Sequence, residues 1–189
     1  MLFNYIGVIK YLDEHNLLNN INVYYGCSAG SIICSLLCMG FNIKELYTFC
    51  DILSNKFSDF YNKFWFSFLL KNLAINNNYN ITKFIYNTIQ KKINNGNISL
   101  YELYKLTNKT LNITTYCLTT NEIIYLNYKT FPSLSLWKAI LMSIWIPLIF
   151  PKILHNNKYY IDAGIIESIP LNNLTDKQIK KWIIITYNI

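Results

Sequence analysis

The sequence predicts an α/β domain in which short strands alternate with helices. Three observations carry that expectation. Apolar runs rich in β-branched and aromatic residues, such as Ile21 to Tyr25 and Thr110 to Thr119, are separated by segments of helical period. A serine between glycines, Gly26-Cys27-Ser28-Ala29-Gly30, falls at the junction of one such strand and one such helix. The chain is 52% hydrophobic and only 14% charged, against about 25% charged in a typical soluble domain, which excludes disorder. Its 189 residues fit a single domain over residues 1–189, with enough chain to bury a core.

Each element has a local reason. Tyr5, Val8, Ile9 and Leu12 recur at helical spacing, and Asp13, Glu14 and His15 close that helix on a polar face. After the Asn19-Asn20 turn, Ile21 to Tyr25 reads as a strand, and Ala29 to Met39 as an apolar helix stopped by Gly40. Asn42-Ile43-Lys44-Glu45 is a capping motif that opens a third helix. Phe57, Phe60, Phe64 and Phe68 continue at helical spacing towards Leu70. Asn76-Asn77-Asn78 breaks the pattern before a helix over Thr82 to Ile93, with Ile85, Thr88 and Ile89 on one side. Ser99-Leu100-Tyr101-Glu102 is a capping box for a short helix. Strands follow at Thr110 to Thr119 and Glu122 to Tyr128, then a helix over Ser135 to Trp145, ahead of Pro147. Asn156-Asn157 joins Ile153 to His155 and Lys158 to Ile161 as a hairpin, and Trp182 to Tyr187 reads as a last strand.

Composition removes several function classes. The net charge is +7, but every basic residue is a lysine. Without arginine forks, nucleic-acid recognition is not expected. The lysine, asparagine and isoleucine excess reads as the coding bias of an AT-rich genome. Five cysteines (Cys27, Cys34, Cys38, Cys50, Cys117) lack C-x-x-C spacing, so buried thiols in a reducing compartment are expected, not a disulfide framework or a metal site. No basic leader precedes an apolar run at Met1, and Ala139 to Phe150 is too short against the roughly 20 residues a span needs. The expected location is therefore cytoplasmic or peripheral at membranes, with no signal peptide and no transmembrane helix. The aromatic segment Phe57 to Leu70, flanked by Lys56, Lys63 and Lys71, reads as a helix packed into the domain, with a lipid-facing surface as the alternative.

G-x-S-x-G between a strand and a helix carries a mechanism. The sharp turn projects the Ser28 hydroxyl, and Gly26 and Gly30 let strand and helix approach closely. The helix start supplies a positive dipole end, with the backbone N–H of Ala29 as the oxyanion donor. A serine nucleophile needs a base. His155 sits at a strand end beside the hairpin, and His15 closes a surface helix, so both are poor candidates. Asp162 lies between the apolar run Tyr159-Tyr160-Ile161 and Ala163-Gly164, where it reads equally well as a positioned base or as a turn aspartate.

In these segments the chain resembles the patatin-like phospholipase family. Gly7-Val8-Ile9-Lys10-Tyr11-Leu12-Asp13-Glu14 is similar to its first helix, and Gly26-Cys27-Ser28-Ala29-Gly30-Ser31 to its nucleophile elbow. Ser143, Pro147, Phe150, Pro151, Asp162-Ala163-Gly164 and Pro170 follow in the order of its later motifs, so the resemblance covers nearly the whole chain. It implies a three-layer α/β/α domain with a central, mainly parallel sheet, and a Ser28–Asp162 dyad without histidine. It also implies carboxylic-ester hydrolysis of phospholipids or other lipid esters through an acyl-enzyme, no cofactor and no metal for the dyad chemistry, and contact with a membrane surface. The sequence sets no oligomeric state. Two departures stand out. Met1 stands about where the family's glycine-rich oxyanion loop ends, so an N-terminally truncated version of the domain is expected. Asp162-Ala163-Gly164 replaces D-G-G, and Ser168 stands where the family has asparagine. One lost oxyanion donor costs about 3–4 kcal/mol of transition-state binding. A catalytically silent lipid-binding or regulatory protein of the same fold is therefore the alternative expectation.

Overall fold

The computed structural model describes residues 2–68, 78–145, 153–166, 183 and 185, with side chains for 5–55, 81–145, 153–164, 166, 183 and 185. Its elements run α1 (Leu2–Glu14), β1 (Val23–Cys27), α2 (Ala29–Cys38), α3 (Ile43–Phe68), α4 (Asn78–Ile93), α5 (Leu100–Thr107), β2 (Thr110–Cys117), β3 (Glu122–Leu126), α6 (Leu136–Ile144), β4 (Ile153–His155) and β5 (Lys158–Ile161). A 3-10 turn over Ala163–Ile165 follows β5. Of the expected strand over Trp182 to Tyr187 only residues 183 and 185 are described, and neither lies in a strand; Pro147, Phe150, Pro151, Ser168 and Pro170 lie outside the described residues. The segment from Phe57 is helical as far as Phe68, but its side chains lie outside them too.

The helix ends follow the sequence signals. The Asn42 side chain accepts from the Glu45 N–H at 3.0 Å, while the Glu45 carboxylate accepts from the Asn42 N–H at 2.8 Å. The same carboxylate takes the Lys92 ammonium at 2.8 Å and so ties α3 to α4. Ser99 and Glu102 form the second reciprocal box, at 3.2 and 2.8 Å. Gly40 ends α2 with φ +77°, which a side chain disfavours. Asn156 and Asn157 have φ +47° and +58°, the twist a two-residue hairpin requires.

Two local readings change. The buried stripe of α1 is Ile6, Ile9 and Leu12, while Val8 is exposed; α1 packs on α3, and that contact selects the face. The first strand is Val23–Cys27, two residues later than its apolar run suggested, because Gly26 and Cys27 pair with Ile113 and Thr114 despite their low strand preference.

The expected sheet was mainly parallel, and the described strands form a mixed one. Only β1 and β2 run parallel. β2 pairs antiparallel with β3 and with β5, and β4 with β5, because hairpins supply those strands. β3 overlaps both β1 and β5 along β2, so β1 and β5 lie end to end on the opposite side of β2. Helices α2 and α6 pack on β2 and on each other. Residues 111–115 of β2 are all buried, and successive side chains alternate between faces, so both faces of the sheet are covered there. The core runs through Ile32, Leu36, Leu46, Ile89, Ile113 and Met142. Among the described residues, no helix is long and apolar enough to cross a membrane.

β1 and α2 meet almost without space. A Cβ on Gly26 would stand 2.6 Å from the Gly30 carbonyl oxygen and 2.6 Å from the Ser31 Cα. Gly30 is different: a Cβ there meets only the Tyr5 hydroxyl, at 3.8 Å. The close approach thus requires Gly26 and not Gly30. Gly26→Ala is expected to lower stability by about 1–3 kcal/mol through overpacking against backbone, and Gly30→Ala to leave it unchanged or raise it by up to about 1 kcal/mol, alanine being the better helix residue. Urea unfolding of the two variants checks the contrast.

Candidate active site

β2 brings the site together. In the parallel ladder Cys27 stands opposite Thr114, and in the antiparallel ladder Ile161 stands opposite Tyr116. Ser28 and Asp162 are each one residue further on. Continuing both registers therefore brings them to the same level of β2, that of Thr115, from opposite chain directions. The site lies at the carboxyl end of β1, where open α/β sheets collect ligands.

Ser28 turns the chain from β1 into α2 with φ +53° and ψ −127°. A serine rarely adopts such a backbone, and strain of this kind costs about 1–3 kcal/mol. Hydrogen bonds hold it from both sides. The Ser28 N–H donates to the Ser143 hydroxyl of α6 at 3.0 Å, and its carbonyl accepts from the Ser31 N–H at 2.9 Å and the Ser31 hydroxyl at 2.7 Å. Ala29 is the first residue of α2, so the helix itself makes no use of its N–H.

Asp162 is almost fully buried, at 3% exposure. Its Oδ1 accepts from the Gly164 N–H at 2.8 Å, and the Ser28 side chain stands beside the carboxylate, where it favours the ionised form. The Cys27 thiol lies 3.8 Å from Oδ1. The Asp162 N–H donates to the Trp145 carbonyl at the end of α6, at 2.8 Å. Burial raises the Asp162 pKa, and the bonds from Ser28, Gly164 and Cys27 offset part of that rise. The result is a carboxylate more basic than one in water, in contact with a hydroxyl. Asp162 is thus both a turn residue and the neighbour of Ser28.

The motif residues around the pair have distinct tasks. A Cβ on Gly164 would stand 3.1 Å from Asp162 Oδ1 and 3.8 Å from the Cys27 sulfur, so the glycine keeps the carboxylate uncrowded. Ala163 is fully buried and its φ is not positive, so alanine fits where the family pattern has glycine. Neither histidine joins the pair. The His15 ring lies against that of Tyr11, tilted by 31° with centroids 4.0 Å apart, and bonds the Tyr11 carbonyl. His155 lies in β4, with its ring near those of Phe131 and Tyr160. Cys34 bonds the Tyr25 carbonyl, and burial pushes its thiol up to about 12, so it stays protonated. Among the described residues, no cluster of three or more His, Cys, Asp or Glu side chains is arranged to hold a metal.

Sequence reasoning missed what Ser143 does. The residue is fully buried in a helix that is apolar apart from it and Lys138, and it is the acceptor that pins the strained turn. A lone hydroxyl on a buried helix face is itself a signal, because such groups need partners.

Comparison with known proteins gives the family and the fold. The chain is 27% identical over 173 residues to "Probable lipid hydrolase 463L" of Invertebrate iridescent virus 6, a match covering 88% of this chain and 60% of that one. Among solved structures, VipD from Legionella pneumophila aligns with a TM-score of 0.59 at 18% identity, over 92% of this chain and 46% of that chain, and so shares the fold. The chain therefore spans 60% of its viral relative's length and less than half of VipD. The family model described as patatin-like phospholipase matches residues 3–175, and with that span the chain belongs to the patatin-like phospholipase family.

Proposed function

We propose that the chain is a lipid acyl hydrolase of phospholipase A type, cleaving carboxylic esters through a Ser28 acyl-enzyme with Asp162 as the base. One observation carries the reading: strand register brings a serine on a strained strand-to-helix turn beside a buried carboxylate whose pKa is raised. The family and a relative named as a lipid hydrolase support the substrate class.

The chemistry runs in two halves. Ser28 Oγ attacks the ester carbonyl while Asp162 takes the hydroxyl proton. The tetrahedral oxyanion meets the Ala29 N–H and the positive end of α2. Collapse breaks the C–O bond, and Asp162 returns its proton to the departing alcohol, such as a lysophospholipid. Water then attacks the acyl-enzyme, again giving its proton to Asp162. Collapse of the second intermediate releases the fatty acid, and Ser28 regains a proton. Burial makes the base stronger than a carboxylate in water, and the donors around it work in the opposite direction, favouring its ionised form. No metal or cofactor enters this scheme.

A fluorophosphonate probe is expected to label Ser28. Ser28→Ala and Asp162→Asn are each expected to lower phospholipid hydrolysis by at least about 1,000-fold, while His155→Ala keeps it. Asp162→Asn should remain at least as stable as the wild type at neutral pH, since it removes a buried charge. Liposome binding without turnover, unchanged by Ser28→Ala, would instead assign a lipid-binding role. The pH profile gives an independent check. Only ionised Asp162 accepts a proton, and its pKa lies above the ordinary 3.8, so kcat/KM on a soluble ester should fall on an acid limb centred above that value. A limb centred at or below 3.8 would rule out Asp162 as the base.

A further inference from the structure

Thr115 occupies the level of β2 on which Ser28 and Asp162 converge. It is fully buried, and its side chain does more than fill space. Its hydroxyl donates towards the Met142 carbonyl at 2.7 Å and the Ile161 carbonyl at 2.8 Å, one proton shared between two acceptors. Each carbonyl belongs to the residue just before a site residue. Met142 precedes Ser143, whose hydroxyl takes the Ser28 N–H. Ile161 precedes Asp162, whose own N–H is held by Trp145 at the end of the same helix. One hydroxyl thus sits between α6, which fixes the nucleophile's turn, and the end of β5, which carries the carboxylate. The opposite face of the sheet shows what β2 would otherwise offer: the Thr114 hydroxyl is buried there with no hydrogen-bond partner among the described residues. Burial alone therefore does not account for a bonded threonine at 115.

We infer that Thr115 is a positioning residue for the Ser28–Asp162 pair, its hydroxyl setting the distance between them by clasping α6 to β5. The inference rests on the dyad reading above. It assigns no contact with substrate. Its consequence is that removal of one oxygen atom from the sheet should misplace the base relative to the nucleophile, while the packed shape of the side chain is kept. Misplacement by about 1 Å can cost on the order of 100-fold in rate.

Thr115→Val keeps the shape and deletes the hydroxyl; Thr115→Ser keeps the hydroxyl and deletes a methyl. For the full chain, the rate of fluorophosphonate labelling at Ser28 is expected to fall on the order of 100-fold in Thr115→Val and to recover to within about threefold of wild type in Thr115→Ser. With a soluble ester, the loss should fall on kcat and leave KM unchanged. Thr115→Ala is the reserve variant if Thr115→Val does not fold. Wild-type labelling in a folded Thr115→Val, or a Thr115→Ser as slow as Thr115→Val, would overturn the inference. If the wild-type chain itself neither labels nor hydrolyses, the dyad reading fails, and positioning is then decided by NMR titration of the Asp162 carboxyl. The groups bearing on that carboxyl are the Ser28 hydroxyl, the Gly164 N–H and the Cys27 thiol, all of which hold its pKa down. Loss of the Ser28 contact in Thr115→Val should raise the titration midpoint, and an unchanged or lower midpoint would refute a positioning role.

Discussion

One strand, β2, is the constraint on which the site depends. It accepts β1 in parallel and β5 in antiparallel register on the same side, end to end. The two strands approach from opposite directions and stop where their ladders would collide. That meeting point leaves two chain ends within reach of one another, one turning into α2 and the other into the 3-10 turn. Ser28 and Asp162 are the first residues past those ends. They are 134 positions apart in the chain (162 − 28), and no local signal could bring them together. The pairing register does so, and a slip of one residue on either ladder would reverse the side-chain faces and separate them.

The site stores free energy that the fold must supply. Ser28 holds a backbone conformation that serines avoid, and Asp162 keeps a carboxylate where burial disfavours charge. Both costs are met by hydrogen bonds from α6 and the turns: Ser143 on the Ser28 N–H, Trp145 on the Asp162 N–H, and Gly164 on the carboxylate. A helix whose other described residues are largely apolar thereby becomes the brace of a polar site. The buried Ser143 hydroxyl is the group of α6 that reaches the turn at Ser28.

Much of this was legible in the chain. The elbow lies at a strand-to-helix junction because local residue choice encodes it. Both capping boxes, the Gly40 stop and the Asn156-Asn157 hairpin also follow from side chains acting within a few residues. Asp162 was ambiguous for a physical reason, since its local hydrogen bond to Gly164 looks the same whether or not a serine stands across from it. Val8 on α1 was misread because periodicity identifies an apolar stripe and not which edge of it meets a partner. Gly30 resembled Gly26 in the motif, yet only Gly26 faces backbone at close range.

The sequence by itself determined what is short-range: the fold class, the helix ends, the hairpin, the elbow and the identity of the candidate nucleophile. These depend on side-chain preferences and on hydrogen bonds spanning a few residues. The tertiary structure decided what is long-range: the mixed character of the described sheet, which face of α1 is buried, the strand register that brings Asp162 beside Ser28 as the family resemblance implied, and the partners of the buried Ser143 and Thr115 hydroxyls. Those depend on strand register and helix packing between segments far apart in the chain. A buried hydroxyl reveals its partner only when the fold has brought that partner to it.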